Sequence, residues 1–324
     1  MHRYPHWIVL AALALLALAA LTFALAAGSV DIGFGAVVRA LFSPGDDAGS
    51  AVVRDLRLPR AMAAFAVGAL LALAGAMMQV LLRNPLADPY VLGLSGGAAC
   101  GALTALLAGA AAMVTPAAFA GALISTFIVF GLARGQGAWA PTRLLLTGVV
   151  VAAGWGALIV LILTVAPEAQ VRGMLFWLIG DLSGASRSGV PLAALVVVLV
   201  AAMSFARDAT LLARGDLTAA SLGVPVRGAT LALHALAAFA TAIAVTVAGS
   251  VGFVGLVVPH AVRLVIGNDQ RWLMPAAALA GGALLTFADT VARTLVAPSQ
   301  LPVGVLTALV GVPLFLWLLR RSGR

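Results

Sequence analysis

The chain has 324 residues, of which 63% are hydrophobic and only 9% are charged, and its formal net charge is +8. Soluble domains contain about 25% charged residues, so a chain this apolar cannot cover its surface with polar groups in water. This composition excludes a soluble enzyme and a disordered chain, and it indicates an integral membrane protein.

The residue types that are missing exclude several kinds of chemistry. All 19 basic residues are arginines, and without lysine the chain has neither a P-loop ATP site nor a Schiff-base nucleophile. One cysteine and four histidines show no metal-site spacing. We therefore expect no catalytic residue, no metal and no cofactor in this chain. In a membrane protein the positive charge indicates orientation in the bilayer rather than a nucleic-acid partner.

Stretches without Asp, Glu or Arg predict the membrane spans, since a helix needs about 20 apolar residues to cross the hydrocarbon. Two of these stretches are long enough for two helices each, with breaks expected at Thr115-Pro116 and at Gly249–Gly252. The first stretch has an alternative interpretation as a cleaved signal peptide, which would leave nine spans. An uncleaved chain is an all-α protein with ten spans. The stretches are 4–30, 61–82, 89–133, 144–167, 188–206, 228–262, 272–288 and 294–319.

The arginines predict the topology. If both termini are cytoplasmic, the inner side carries twelve arginines and four aspartates, and the outer side carries seven arginines and seven acids. This satisfies the positive-inside rule, although Arg39, Arg54, Arg57 and Arg60 in the first outer loop oppose it.

Small residues and ionisable residues within the spans support a further set of expectations. Gly93, Gly97 and Gly101 form one stripe of small residues, and Gly148, Ala152 and Gly156 form another; we expect both to pack helices within the chain, and the alternative is a dimer interface. The candidate ionisable groups of the spans are His234 and His260, which we expect to pack or hydrogen-bond locally. We expect Asp289 to face the outer surface at a helix end.

Four segments contain distinctive motifs within the otherwise apolar sequence, and the order of these motifs resembles that of a known family. They are Arg57-Leu58-Pro59-Arg60 running on to Asn84-Pro85-Leu86-Ala87-Asp88-Pro89 and Gly93–Ala98, then Gly252–His260, Ala288–Arg293 and Leu301–Val305. Over nearly the whole chain, these motifs resemble the permease subunits of bacterial ABC importers for vitamin B12, iron-siderophores and haem, the FecCD-like family.

The resemblance implies a fold and a set of partners. The whole chain, 1–324, would be one polytopic permease domain of the type II ABC importer architecture, placed in the bacterial inner membrane with both termini in the cytoplasm. Two copies would form a homodimer with the pathway between them and lipid around it. Two ABC ATPase subunits, carrying ATP and Mg, would bind on the cytoplasmic side, and a substrate-binding protein would dock on the periplasmic side.

The resemblance also implies roles for particular residues. A cytoplasmic gate corresponds to Asn84, Leu86, Pro141 and Thr142, although Pro141 departs from the Ser/Thr-rich form of the family. A coupling loop at about 207–228, which rests on the ATPase as two short helices, contains Arg214, Gly215, Asp216, Leu222 and Gly223. For the gate positions the alternative is ordinary turn residues, and for the loop it is a solvated linker.

On the outer side the resemblance assigns Arg57, Arg60 and Arg293 to docking of the binding protein. The alternative for these arginines is pairing within the chain or with lipid headgroups. A short outer helix is expected at about 171–186, beside the pathway.

The leading function is therefore the permease of an ATP-driven importer for a bulky metal chelate, with cobalamin slightly favoured by the chain length and motif spacing. An ion- or proton-coupled secondary carrier is disfavoured by spans that are poor in charge. A non-transporting membrane scaffold would need neither gates nor a coupling loop.

Overall fold

The computed structural model describes residues 5–28, 32–42, 48–133, 141–185, 188–297 and 299–322. Within these ranges the regular secondary structure is entirely helical. The helices of the first half are α1 His6–Ala26, α2 Phe34–Phe42, α3 Ala48–Ala51, a π-helical stretch Val52–Arg57, α4 Leu58–Leu81, a 3-10 turn Pro89–Leu92, α5 Leu94–Leu107, a 3-10 turn Ala111–Met113, and α6 Val114–Ala133. Those of the second half are α7 Pro141–Val165, α8 Glu168–Ile179, α9 Gly189–Ser204, α10 Ala206–Leu212, α11 Asp216–Ser221, α12 Val226–Ala248, α13 Val254–Ile266, α14 Gln270–Thr294 and α15 Val303–Ser322.

The described helices agree with the prediction of ten apolar segments. Six helices are long and apolar enough to cross a membrane, and α9 with α10 forms a pair bent by 61°. Three shorter apolar helices, α5, α13 and α15, complete the set. A bilayer accommodates such shorter helices where their ends are buried against other parts of the protein.

The two predicted breaks have different outcomes. The turn at Gly249–Gly252 is confirmed, because α12 ends at Ala248 and α13 begins at Val254. The break predicted at Thr115-Pro116 is wrong: α5 ends at Leu107, and Pro116 lies in the first turn of α6. Proline is tolerated there because the amide of a first-turn residue has no intrahelical partner.

Helix α4 is the centre of the molecule. In its most apolar window 89% of the residues are buried, and it packs against α12, α13 and α14. Close approach depends on glycine pairs: a Cβ on Gly68 would lie 2.2 Å from the carbonyl oxygen of Gly281, and one on Gly75 would lie 1.8 Å from that of Gly255. By contrast, only 6% of the corresponding window of α7 is buried, so α7 is peripheral within one chain.

The predicted glycine stripe of the third span packs within the chain. A Cβ on Gly97 would lie 2.4 Å from the carbonyl oxygen of Gly121, and one on Gly101 would lie 2.1 Å from that of Ala117, both on α6. Gly93 instead precedes α5, and a Cβ on it would lie 3.5 Å from backbone atoms of Gly148 and Ala152 on α7. In the stripe of α7, Gly156 faces open space, so this stripe is only partly used within the chain.

Candidate functional site

The turn that follows α4 is held by a pair of hydrogen bonds typical of a helix end. The amide of Asn84 donates to the carbonyl of Gln79 (3.2 Å), and that of Arg83 donates to the carbonyl of Val80 (3.1 Å). This is the Schellman pattern, in which the residue after the cap adopts a left-handed conformation and is usually glycine or asparagine. Here that residue is Arg83, with φ 46°.

The predicted gate residues lie on two elements. Asn84 is exposed and its Oδ1 accepts the amide hydrogen of Leu86 (2.9 Å), whose side chain is half-buried. Pro141 is the first residue of α7, and the side chain of Thr142 in the same turn is exposed. Ala140, the neighbour of Pro141, lies outside the described residues. The role of these four residues as a gate stays a prediction.

Arg83 forms an ion pair with Asp216, the first residue of α11. The two side chains are 39% and 53% exposed, and such a pair contributes about 0.2–1 kcal/mol. A left-handed conformation costs a residue other than glycine about 1–2 kcal/mol. The ion pair therefore at most offsets the strain of its own backbone, so the folded state gains little from it.

The other end of the same turn is anchored in the interior. The Asp88 carboxylate accepts the amide hydrogen of Tyr90 (2.7 Å), and the Tyr90 hydroxyl donates to the carbonyl of Val251 (3.1 Å). Burial raises the pKa of Asp88 to about 6, while the hydrogen bond from Tyr90 acts in the opposite direction. The turn between α4 and α5 is thus joined to the turn between α12 and α13.

The predicted coupling loop contains two short helices, α10 and α11. Glycines flank α11 in left-handed conformations, with φ 116° at Gly215 and φ 82° at Gly223, where other residues would be strained. Leu217 and Leu222 are 89% and 51% exposed, although both lie outside the candidate spans, the last of which before them ends at Leu212. Sequence reasoning missed Leu217; the available signal was an apolar residue in a charged inner loop.

The base of this loop is fixed to the start of α14. The hydroxyl of Thr210 accepts the amide hydrogen of Gln270 (3.0 Å). Beside this contact lies a concave pocket with three arginine side chains and one aspartate. It is lined by Arg207, Thr210, Leu211, Ala213, Arg214, Leu222, Asn268, Asp269 and Arg271. Asp269 already pairs with Arg271 (3.3 Å), so the pocket keeps a net positive charge.

Of the outer arginines, Arg57 is directed into the fold. Its side chain is buried, and Nη1 donates to the carbonyls of Leu25 (2.8 Å) and Ala26 (2.7 Å) at the end of α1. A cation at this position stabilises the carbonyl end of a helix. This contact supports the alternative interpretation, in which Arg57 pairs within the chain. Because the side chain is buried, a binding protein could contact little of its surface.

Arg60 and Arg293 also have partners inside the chain. Arg60 donates to both carboxylate oxygens of Asp289, from Nε at 2.9 Å and Nη2 at 2.8 Å, and its Nη1 donates to Oε1 of Gln300. Arg293 donates to the carbonyl of Ala24. Asp289 is only 3% exposed, so the expectation that it faces the outer surface is wrong. Its side chain instead points toward the neighbouring helix α4, where Arg60 pairs with it. Docking on these arginines stays a prediction.

The predicted outer helix is α8, which starts at Glu168 and ends at Ile179, whereas 171–186 was expected. The turn after it is tied to other elements: the amide of Asp181 donates to the carbonyl of Ala248 (2.8 Å), and the amide of Gly304 donates to that of Gly180 (3.2 Å). Residues 186–187, at the end of the predicted range, lie outside the described part.

Residues 15–321 match the sequence profile of the FecCD transport family. The chain belongs to this family. It is therefore a multi-pass membrane permease subunit of the ABC importer class.

Three relatives from the curated proteins illustrate the range of the family. The chain is 45% identical over 273 residues to the cobalamin import system permease protein BtuC of Halobacterium salinarum, covering 83% of this chain and 73% of that protein. It is also 45% identical over 280 residues to the hemin transport system permease protein HmuU of Yersinia pestis, covering 83% of each. The vitamin B12 import system permease protein BtuC of Escherichia coli is 39% identical over 290 residues, covering 87% and 88%.

A solved structure supports the same architecture. The chain is similar to an inward-facing structure described as a metal-chelate type ABC transporter, with a TM-score of 0.85 and 28% identity, covering 97% of this chain and 99% of that one. The helices of the described residues therefore have the arrangement of an ABC transporter permease.

Proposed function

We propose that this chain is the permease of an ATP-driven importer for a bulky metal chelate, which is a cobalamin, an iron-siderophore or haem. Two copies enclose the pathway. The observation that carries the proposal is the combination of a permease fold with a short segment outside the candidate spans, α11 and the turn after it, that exposes Leu217 and Leu222. Relatives of equal identity are named for cobalamin and for hemin, which supports the chelate class rather than a slight preference for cobalamin.

The energy for transport comes from a separate chain in this proposal. The chain contains no lysine, so two ABC ATPase subunits bind ATP and Mg and dock on the coupling loop. Leu217 and Leu222 supply the apolar contact, and the pocket of Arg207, Arg214 and Arg271 complements acidic side chains on the ATPase. A proton-coupled carrier has less support, because Asp289, a carboxylate inside a long helix, is already paired with Arg60.

The homodimer is supported by the helices at the periphery. Helix α7 is almost unburied within one chain, and α15 exposes Leu309 and Val310. A second copy and the surrounding lipid would cover these apolar faces. A periplasmic binding protein delivers the chelate from the opposite side of the membrane.

Uptake by the complete importer tests the function. The permease, the ATPase and the cognate binding protein are reconstituted in proteoliposomes, and accumulation of cobalamin, haem and a ferric siderophore is measured in separate experiments. We expect ATP-dependent uptake of one chelate, which also co-purifies with the binding protein. Uptake driven by a proton gradient without ATP would instead indicate a secondary carrier, and no uptake of any chelate would favour a scaffold.

Substitution of Leu217 with aspartate is expected to weaken binding of the ATPase. Burial of a leucine side chain is worth about 1.5–3 kcal/mol, so its loss corresponds to roughly a tenfold to hundredfold weaker complex. Co-purification of the ATPase with the detergent-solubilised permease measures the effect. The matched control is Leu56→Asp, an exposed leucine near the outer arginines, which should leave co-purification unchanged. Equal binding by both variants would contradict the proposed docking surface.

Reporter fusions test the proposed inner-membrane topology. A reporter fused after Arg227 or Arg320 should be cytoplasmic, and one fused after Ser183 should be periplasmic, because the arginine-rich loops stay inside. Enzymatic activity of compartment-specific reporters in whole cells provides the measurement. A periplasmic signal after Arg320 would contradict the even number of spans.

A further inference from the structure

The ion pair of Arg83 and Asp216 joins two segments to which the proposed function gives different tasks. Arg83 belongs to the turn after α4, which carries the predicted gate residues Asn84 and Leu86. Asp216 begins α11, which carries the exposed Leu217 of the proposed ATPase contact. The contact therefore links the gate turn directly to the surface on which the ATPase would act.

Helix α11 is a short unit bounded by two glycines, and its buried Ala219 packs into the main core. It has only six residues, and it lies between Gly215 and Gly223, both in left-handed conformations and both with open space where a side chain would be. Short segments bounded by residues with unusual backbone angles are where proteins absorb movement. A force on Leu217 would therefore displace α11 as a unit, together with Asp216.

The gate turn, in contrast, transmits a displacement rather than absorbing it. Two amide hydrogen bonds of the Schellman pattern fix Arg83 and Asn84 to the end of α4. At the other end, Asp88 and Tyr90 tie the turn to the carbonyl of Val251. Because both ends of the turn are held by specific hydrogen bonds, a displacement of the Arg83 guanidinium would be passed on to the end of α4 and to the turn between α12 and α13.

The left-handed backbone conformation of Arg83 indicates that its side chain does something other than stabilise the fold. Glycine would adopt the left-handed conformation without strain, and the half-exposed ion pair at most offsets that strain. An arginine at this position is therefore unfavourable or neutral for folding, although it provides the charged contact to α11.

We propose that Arg83 and Asp216 are positioning residues that couple the movement of α11 to the gate turn. This inference rests on the proposed function, since it needs an ATPase that acts on α11. It assigns the coupling between the two inner segments to one charged contact. Neither residue touches the transported chelate or the nucleotide.

Arg83→Gly is the first test, because glycine relieves the backbone strain and removes the contact at the same time. In proteoliposomes with the ATPase and the binding protein, we expect ATP hydrolysis within about twofold of the original rate and chelate uptake per ATP reduced about threefold to fivefold, the most that a half-exposed ion pair supplies. The unfolding midpoint in detergent should be unchanged or higher. The matched control is Arg320→Gly, which removes an exposed arginine from the end of α15 and should leave uptake per ATP unchanged.

A charge exchange is the second test. Arg83→Asp and Asp216→Arg should each lower uptake per ATP about tenfold, because each brings like charges together. The double variant should recover uptake to within about threefold of the original chain.

The outcomes separate this inference from the proposed function. If the original chain shows no ATP-dependent uptake, the proposed function fails. If the original chain transports and Arg83→Gly transports equally well per ATP, the coupling role of the ion pair is wrong. Failure of the double exchange to recover uptake, with a folded protein that still binds the ATPase, would also overturn it.

Discussion

Replacement of Asp289 with alanine is expected to lower the free energy of unfolding by about 3–5 kcal/mol, since removal of one partner leaves a buried charge uncompensated. The carboxylate holds Arg60 through two hydrogen bonds, and the two side chains are only 12% and 4% exposed. Arg293 interacts with the same carboxylate. Unfolding of the purified permease by SDS in mixed micelles measures the loss.

Two further variants control this result. Arg271→Ala removes an exposed ion pair with Asp269 and should cost less than about 1 kcal/mol. The double variant Arg60→Met with Asp289→Leu replaces the buried pair by apolar side chains and should recover most of the stability. An Asp289→Ala chain as stable as the Arg271→Ala chain would mean that water reaches Arg60 and that the pair is not buried in the bilayer.

Gly75→Ala is expected to destabilise the fold by at least about 3 kcal/mol, at the upper end of the range for overpacked cores. The new methyl group would lie 1.8 Å from the carbonyl oxygen and 2.6 Å from the carbonyl carbon of Gly255. Both are backbone atoms, so no side-chain rotation relieves the clash and α4 must separate from α13. That separation would also break the hydrogen bond from Gln79 to the carbonyl of Leu256 (3.1 Å).

The yield of monodisperse protein on size exclusion, followed by SDS unfolding, measures this effect. Gly131→Ala is the matched control, because Gly131 lies in α6 with open space where the methyl group would be. The control should lose no stability, since alanine favours the helix by roughly 0.5–1 kcal/mol over glycine. Similar yields and stabilities for the two variants would contradict the close packing of α4 and α13.

Sequence reasoning works here where a feature depends on neighbouring residues. The number of apolar segments follows from composition over about 20 residues, and the turn at Gly249–Gly252 follows from local backbone preference. The two short helices at 206–221 lie where Gly215, Gly223 and Pro225 interrupt a polar inner loop. Each of these signals is contained in a window no longer than about one span.

Sequence reasoning fails where one local pattern is compatible with two different structures. Thr115-Pro116 was expected to break the helix, but proline at the first turn of α6 is compatible with helix formation. Asp289 was expected to lie at an outer surface because it ends an apolar run, whereas α14 continues to Thr294. Neither position differs from its neighbours in a way that a single sequence reveals.

By itself, the sequence determined that this protein is helical and membrane-spanning with ten apolar segments, because hydrophobic length is a property of the chain, and the order of its motifs identified the permease family. Only the tertiary structure decided which charges meet. Arg60 pairs with Asp289 on another helix, and Arg57 donates hydrogen bonds to the carbonyl end of α1. Arg83 pairs with Asp216, which lies 133 positions later in the chain. The Arg60–Asp289 pair depends on how α4 packs on α14 through the close contact of Gly68 with Gly281, and a stripe of small residues in the sequence does not say which helix it will meet.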